Sequence, residues 1–161
     1  MRRLTAVLAV LVALAGCGSG TPELPAIEDP REARAADPCS LMDAGALDDA
    51  RLSGPGTAAT AAEGPRCEWL GESRKRLTVT LFTGDGGLAT LADNSDPTTT
   101  RVRLDGYPAL ETFTGQGEFC QYDVGIAEDQ AVLVALDGGA PDSCTELQEL
   151  VPGILDRLPA G

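Results

Sequence analysis

The 161-residue chain contains no histidine and a single lysine, Lys75. The first absence excludes Ser-His-Asp and Cys-His mechanisms and every His-ligated metal site. The second leaves little room for Schiff-base or Ser-Lys chemistry. Basic residues are scarce as a class: 12 Lys+Arg stand against 25 Asp+Glu, for a formal net charge of −13. Such a surface does not displace phosphate counterions, so no nucleic-acid partner is expected. No C-x-x-C pair occurs, which argues against zinc and against a low-pKa redox thiol. No metal and no cofactor are therefore expected. No apolar run reaches the roughly 20 residues of a membrane-spanning helix. The remaining composition, 43% hydrophobic and 23% charged, is ordinary for one folded domain.

Arg2 and Arg3 precede an almost continuously apolar stretch over residues 4–14, and Leu14-Ala15-Gly16-Cys17 follows. The order of charge, apolar segment and small residues is that of a secretory signal. The closing cysteine makes the junction look like a bacterial lipobox. In that class a thiol takes a diacylglyceryl group, and the small residue before it admits the peptidase. Residues 1–16 are thus expected to be a signal peptide and Cys17 the lipidation site. Cleavage there leaves 145 residues with 10 basic against 25 acidic groups, a net −15. An acidic body is repelled by anionic lipid, so two acyl chains, not the protein surface, would hold it to the membrane. Residues 17–37 contain three prolines and no sustained hydrophobic period. They read as the lipidated cysteine and a flexible tether reaching about 25 Å as a coil.

Residues 38–161 read as an extracytoplasmic globular domain. With Cys17 lipidated, Cys39, Cys67, Cys120 and Cys144 remain. An even number in an exported chain implies two disulfides, with three pairings open in principle. Ser40 or Asp43 can cap a short helix reaching Asp49. The Gly/Ala/Thr/Pro-rich stretch 53–65 reads as a loop. Strands are expected at Cys67–Leu70, at Leu77–Leu81, around Val102 and Leu104, and over residues 109–114. Residues 118–127 and 130–137 form a hairpin in this reading, with 127 opposite 130 and 120 opposite 137. Residues 88–92 allow a turn or two of helix. Leu147, Leu150, Val151, Ile154, Leu155 and Leu158 recur at helical spacing. Ser143-x-x-Glu146 would be their capping box, and Pro152 predicts a kink. The hairpin places Cys120 where the chain leaves the sheet for the last helix, so Cys120–Cys144 is expected, and Cys39–Cys67 by elimination. The expected fold class is α+β. It comprises an antiparallel sheet of five or six strands, a C-terminal amphipathic helix on one face, a short N-terminal helix and two disulfides.

The order of features resembles the actinobacterial lipoproteins grouped as domain of unknown function 3558. The residues that carry the resemblance are Cys17, Asp37-Pro38-Cys39-Ser40-Leu41-Met42, Cys67-Glu68-Trp69, Asp105-Gly106-Tyr107-Pro108-Ala109, Cys120, Cys144 and the final Leu158-Pro159. Met42-Asp43-Ala44-Gly45 departs from the pattern at the first helix. The resemblance implies an envelope lipoprotein and supplies no activity.

Carboxylates are the abundant functional groups, and Asp85, Asp93, Asp96, Asp105 and Asp137 fall in expected turns. Paired carboxylates can run acid–base hydrolysis, and clustered ones can bind calcium. Asp is also an ordinary turn residue, and no EF-hand spacing is present. Gly54-Pro55-Gly56 follows no strand and precedes no lysine, so it is not a phosphate loop. Arg74-Lys75-Arg76 reads as a solvated hairpin tip, and Trp69 as core beside Cys67. No catalytic residue is assigned. The expected function is a non-catalytic binding or interaction module, anchored to the cell membrane on its extracytoplasmic face. Its partner would be an unidentified envelope protein or small ligand. The alternatives are a carrier of a small apolar ligand and an envelope hydrolase using paired carboxylates.

Overall fold

The computed structural model describes residues 24–114, 119–138 and 142–161. Cys17 and the signal sequence lie outside the described residues. A 3-10 turn at Pro38–Ser40 leads to helix α1, Ala44–Asp49. Asp43 caps α1 by accepting from the Ala46 amide at 2.7 Å, a bond typically worth about 1 kcal/mol. Strands β1 (Leu52–Thr60), β2 (Pro65–Gly71) and β3 (Arg76–Phe82) follow as a meander. Helix α2, Gly87–Asp93, then leads to a second meander. Its strands are β4 (Thr100–Leu104), β5 (Tyr107–Thr114), β6 (Phe119–Ala127) and β7 (Gln130–Asp137). Helix α3, Ser143–Asp156, closes the chain. β7 pairs with β3, and this joins the meanders into one antiparallel sheet ordered β1-β2-β3-β7-β6-β5-β4.

The α+β class, the antiparallel sheet and both disulfides, Cys39–Cys67 and Cys120–Cys144, stand as expected. The sheet has seven strands, not five or six. The extra strand is β1, drawn from the stretch expected to be a loop. Its sequence carries no large apolar side chain after Leu52, and most of it is exposed. It is a strand because β2 supplies a ladder from Leu52↔Gly71 to Thr60↔Pro65, interrupted by an irregularity between Ser53 and Thr57. Being an edge strand, it tolerates Pro55.

Alternation divides the sheet into two faces. Trp69, Leu77, Val79, Tyr122, Val124, Val132, Val134 and Leu136 join the main core, which also includes Leu147, Val151, Ile154 and Leu155 of α3 and Leu41 and Leu47 near the N-terminus. The opposite face is covered in part by α2, whose Leu88 rests against Gly125. Leu88, Leu110 and Ala131 are buried outside the main core.

Three local expectations change. The β6–β7 hairpin keeps Ala127 opposite Gln130, but an irregularity between Gly125 and Ala127 brings Cys120 opposite Leu136 rather than 137. The Ser143–Glu146 capping box does not form, because Asp142 holds the N-cap position and Glu146 is drawn to Lys75. The helix runs unbroken through Pro152. The apolar face on either side of the proline, with Leu147, Val151, Ile154 and Leu155 buried, offsets the lost backbone bond.

The tether also shortens. Within residues 24–37 the chain is docked: Arg31 donates its amide to the Ile126 carbonyl and Glu32 to that of Pro159, both at 2.9 Å. The Ala33 amide donates to Gln130 Oε1 at 2.6 Å, and Ala33 is buried. The low hydrophobicity that reads as a linker is overruled by backbone bonding to the end of the sheet.

The packing of β1 on β2 generates a test. Gly56 has φ +78°, and a Cβ there would sit 2.5 Å from Cys67 Sγ and 2.7 Å from Trp69 Nε1. Gly54 has φ +82° with nothing within 4 Å. Gly56→Ala should therefore cost about 2–4 kcal/mol, strain plus overpacking, and Gly54→Ala about 1–2 kcal/mol of strain alone. Denaturant midpoints check the ranking, and equal losses would show that β1 yields without disturbing Cys67 and Trp69.

Candidate functional site

The strap of residues 24–30 crosses from the C-terminal tail toward α2 and walls a cleft of about 580 Å³. The other walls are Leu88, Ala89 and Ala92 of α2, Pro108 of β5 and Ala127 at the β6–β7 turn. Asp93, Arg101 and Glu128 supply its polar groups. The strap is fixed at its C-terminal end. Tyr107 donates its hydroxyl to the Asp29 carbonyl at 2.7 Å, and Arg31 Nε donates to the same hydroxyl at 3.2 Å. That contact is the main reason the Arg31 guanidinium is held more firmly protonated than usual, and Asp29 adds to it from 2.7 Å. Arg31 and Ala160 form a bridge, and the Gly161 amide donates to the Pro30 carbonyl at 2.9 Å. On the other side, Gly87 lets the start of α2 approach the β6–β7 turn. A Cβ there, at φ +49°, would lie 2.8 Å from the Gln130 amide nitrogen. Gln130, itself buried, donates to Glu32 at 3.3 Å while accepting from Ala33.

A second feature sits on the α2 face of the sheet. Asp123 of β6 lies between Leu110 of β5 and Leu133 of β7 and is the one buried Asp or Glu among the described residues. Burial raises its carboxyl to about 6, against an opposing hydrogen bond from Gln121 Nε2 at 2.6 Å. Its neighbour Tyr122 points to the other face. There it donates to Glu111 Oε2 at 2.5 Å and accepts from Gln148 Nε2 of α3 at 2.9 Å. Burial first, and the Glu111 contact second, push the Tyr122 phenol up to about 12. Glu111 and Asp123 thus belong to opposite faces and do not form an acid–base pair.

The residues singled out in the sequence scatter. Asp85, Asp93, Asp96, Asp105 and Asp137 are exposed, and among the described residues no cluster of three or more Cys, Asp or Glu could hold a metal ion. Asp96 accepts from the Thr98 amide and hydroxyl, both at 2.8 Å, which holds its carboxyl below the usual range. Trp69 is core, as expected. Lys75 is not a solvated tip. It turns inward, donating to the Ala50 carbonyl at 2.7 Å and pairing with Glu146. The cleft itself was missed. Its one signal was Leu24-Pro25-Ala26-Ile27, an apolar patch inside a segment otherwise rich in charge and proline.

The arrangement defines a class: a two-disulfide antiparallel α+β domain with an aliphatic cleft beside α2 and a docked N-terminal strap. The family described as "Protein of unknown function (DUF3558)" matches residues 12–155, and the chain belongs to that family. No curated protein matches the chain.

Asp123 yields a pH prediction. Its folded pKa of about 6 lies above the ordinary 3.8. The native state therefore binds the proton more tightly than the unfolded chain. Any stability from the protonated form is present at low pH and is lost as pH rises toward and past 6. Asp123→Asn should leave stability little changed near pH 4 and raise it by about 2–3 kcal/mol at pH 8. Denaturant melts of both proteins across pH 4–8 read this difference. A gap independent of pH would show that the carboxylate is solvated.

Proposed function

We propose that the protein is a lipid-anchored, non-catalytic binding module on the extracytoplasmic face of the cell membrane in an actinobacterial envelope. The observation that carries the binding role is the cleft, whose walls are mostly Leu, Ile, Ala and Pro. Pockets of about 300–1,000 Å³ with apolar walls and few polar groups are the usual form of ligand sites. The anchor rests on Leu14-Ala15-Gly16-Cys17. Among the described residues no helix is long and apolar enough to cross a membrane, so membrane attachment in this reading falls to Cys17. The same cleft favours a second reading, a carrier of a small apolar ligand. The hydrolase reading needs two facing carboxylates, and the opposed placement of Glu111 and Asp123 gives it no support.

The test is the mass and topology of the protein in its own membrane. Intact-mass measurement should find residues 1–16 absent and acyl groups on Cys17. Protease added to spheroplasts should digest the domain, and Cys17→Ser should lose the acylated form. Protection from outside protease, or a Cys17→Ser protein with unchanged membrane retention and mass processing, would contradict the anchor.

A further inference from the structure

Of the thirteen described residues around the cleft, ten are Leu, Ile, Ala or Pro and none is aromatic. A ligand that stacks or is read by hydrogen bonds finds little here, whereas an aliphatic chain meets like surface along the cleft. The charged residues Asp93, Arg101 and Glu128 are of both signs. No single headgroup charge is selected by them, so the apolar surface sets the ligand class.

The occupant follows from where the wall of the cleft leads. The strap is held at Asp29, Arg31 and Ala33 by Tyr107, Ile126 and Gln130. Its other end, Leu24, stands seven residues after Cys17. Even fully extended, that segment spans about 25 Å. With Cys17 acylated, the cleft cannot leave the vicinity of the bilayer, where the abundant apolar molecules are lipids. A chain passing from bilayer to a nearby cleft exchanges one apolar surrounding for another. A chain crossing open water forfeits about 0.8 kcal/mol per CH₂. A short lead from anchor to cleft therefore suits lipid capture.

We propose that the cleft between the 24–30 strap and α2 binds an acyl chain of a membrane phospholipid. This rests on the Cys17 anchor proposed above, and it specifies the ligand of the binding site. The strap is then both the connection to the membrane and the outer wall of the site.

Photolabelling tests it. The mature lipidated protein is placed in phosphatidylcholine vesicles that include a phosphatidylcholine with a diazirine near the end of one acyl chain. After irradiation and digestion, peptides covering residues 24–30 and 87–93 should carry the label. Ala92→Trp, which fills the cleft from α2, should cut that labelling at least tenfold with an unchanged melting temperature. Ala89→Trp, at an exposed position of the same wall, serves if Ala92→Trp disturbs the fold. Label confined to the exposed apolar side chains Leu70 and Phe113, or labelling in both tryptophan variants as strong as in the wild type, would overturn the proposal. The Cys17 peptide in the same digest reports the anchor separately. Acyl mass on it without cleft labelling overturns the lipid site alone. Cleft labelling without acyl mass overturns the anchor and supports the site.

Discussion

The docking of α3 on β6 and β7 is the interaction on which the rest of the structure depends. It is fastened in four ways. Cys120–Cys144 ties the start of the helix to β6. The Gln148–Tyr122–Glu111 chain of hydrogen bonds crosses from helix to sheet in the middle. Lys75 pairs with Glu146 beside the β2–β3 connection, and Arg157 pairs with Asp43, the cap of α1. The Arg157–Asp43 pair is exposed and contributes little, so the disulfide and five buried side chains, Leu147, Val151, Ile154, Leu155 and Leu158, carry most of the energy beside the half-buried Lys75–Glu146 pair. The polar contacts set the register of helix on sheet.

That register reaches the cleft through the C-terminal tail. α3 ends at Asp156, and Pro159, Ala160 and Gly161 then lie where the strap meets them, through Glu32, Arg31 and Pro30. A strap in that place walls the cleft against α2. The order of dependence runs from helix to tail, tail to strap, and strap to cleft. In the proposed function the same strap leads to the lipid anchor, so the binding wall and the membrane connection are one piece of chain.

Much of this was legible in the sequence because it rests on strong periodicity or on covalent chemistry. The spacing of Leu147, Val151, Ile154 and Leu155 identifies α3, and the alternation through Leu77–Leu81 identifies β3. Asp105-Gly106 marks a tight turn, and both residues adopt the positive φ it demands, +49° and +85°. The cysteine pairing followed from the β6–β7 hairpin even though the opposing residue was off by one. What was hidden lacked a periodic signal. β1 is made of Gly, Ala, Thr and Pro, and only its partner β2 makes it a strand. The strap is held largely through its own backbone groups, which any strap sequence offers, and its side-chain partners Tyr107 and Gln130 lie far away in the sequence. Asp123 alternates with core residues and so reads as solvent-facing, yet in the folded sheet it is buried between Leu110 and Leu133 on the face that α2 covers in part. The cleft combined two of these hidden pieces, strap and α2, and no motif marked their meeting.

Hydrogen exchange on the full chain, compared between wild type and Cys120→Ser/Cys144→Ser, tests this dependence most directly. Removing the disulfide weakens the docking of α3 without touching the strap. The account predicts that the α3 amides and those of Arg31, Glu32 and Gly161 lose protection together, while β3 and β7 amides keep theirs. Arg31 and Glu32 amides that hold full protection while α3 loses it would contradict the account, and would place the cleft wall under the control of Tyr107 and the β6–β7 turn.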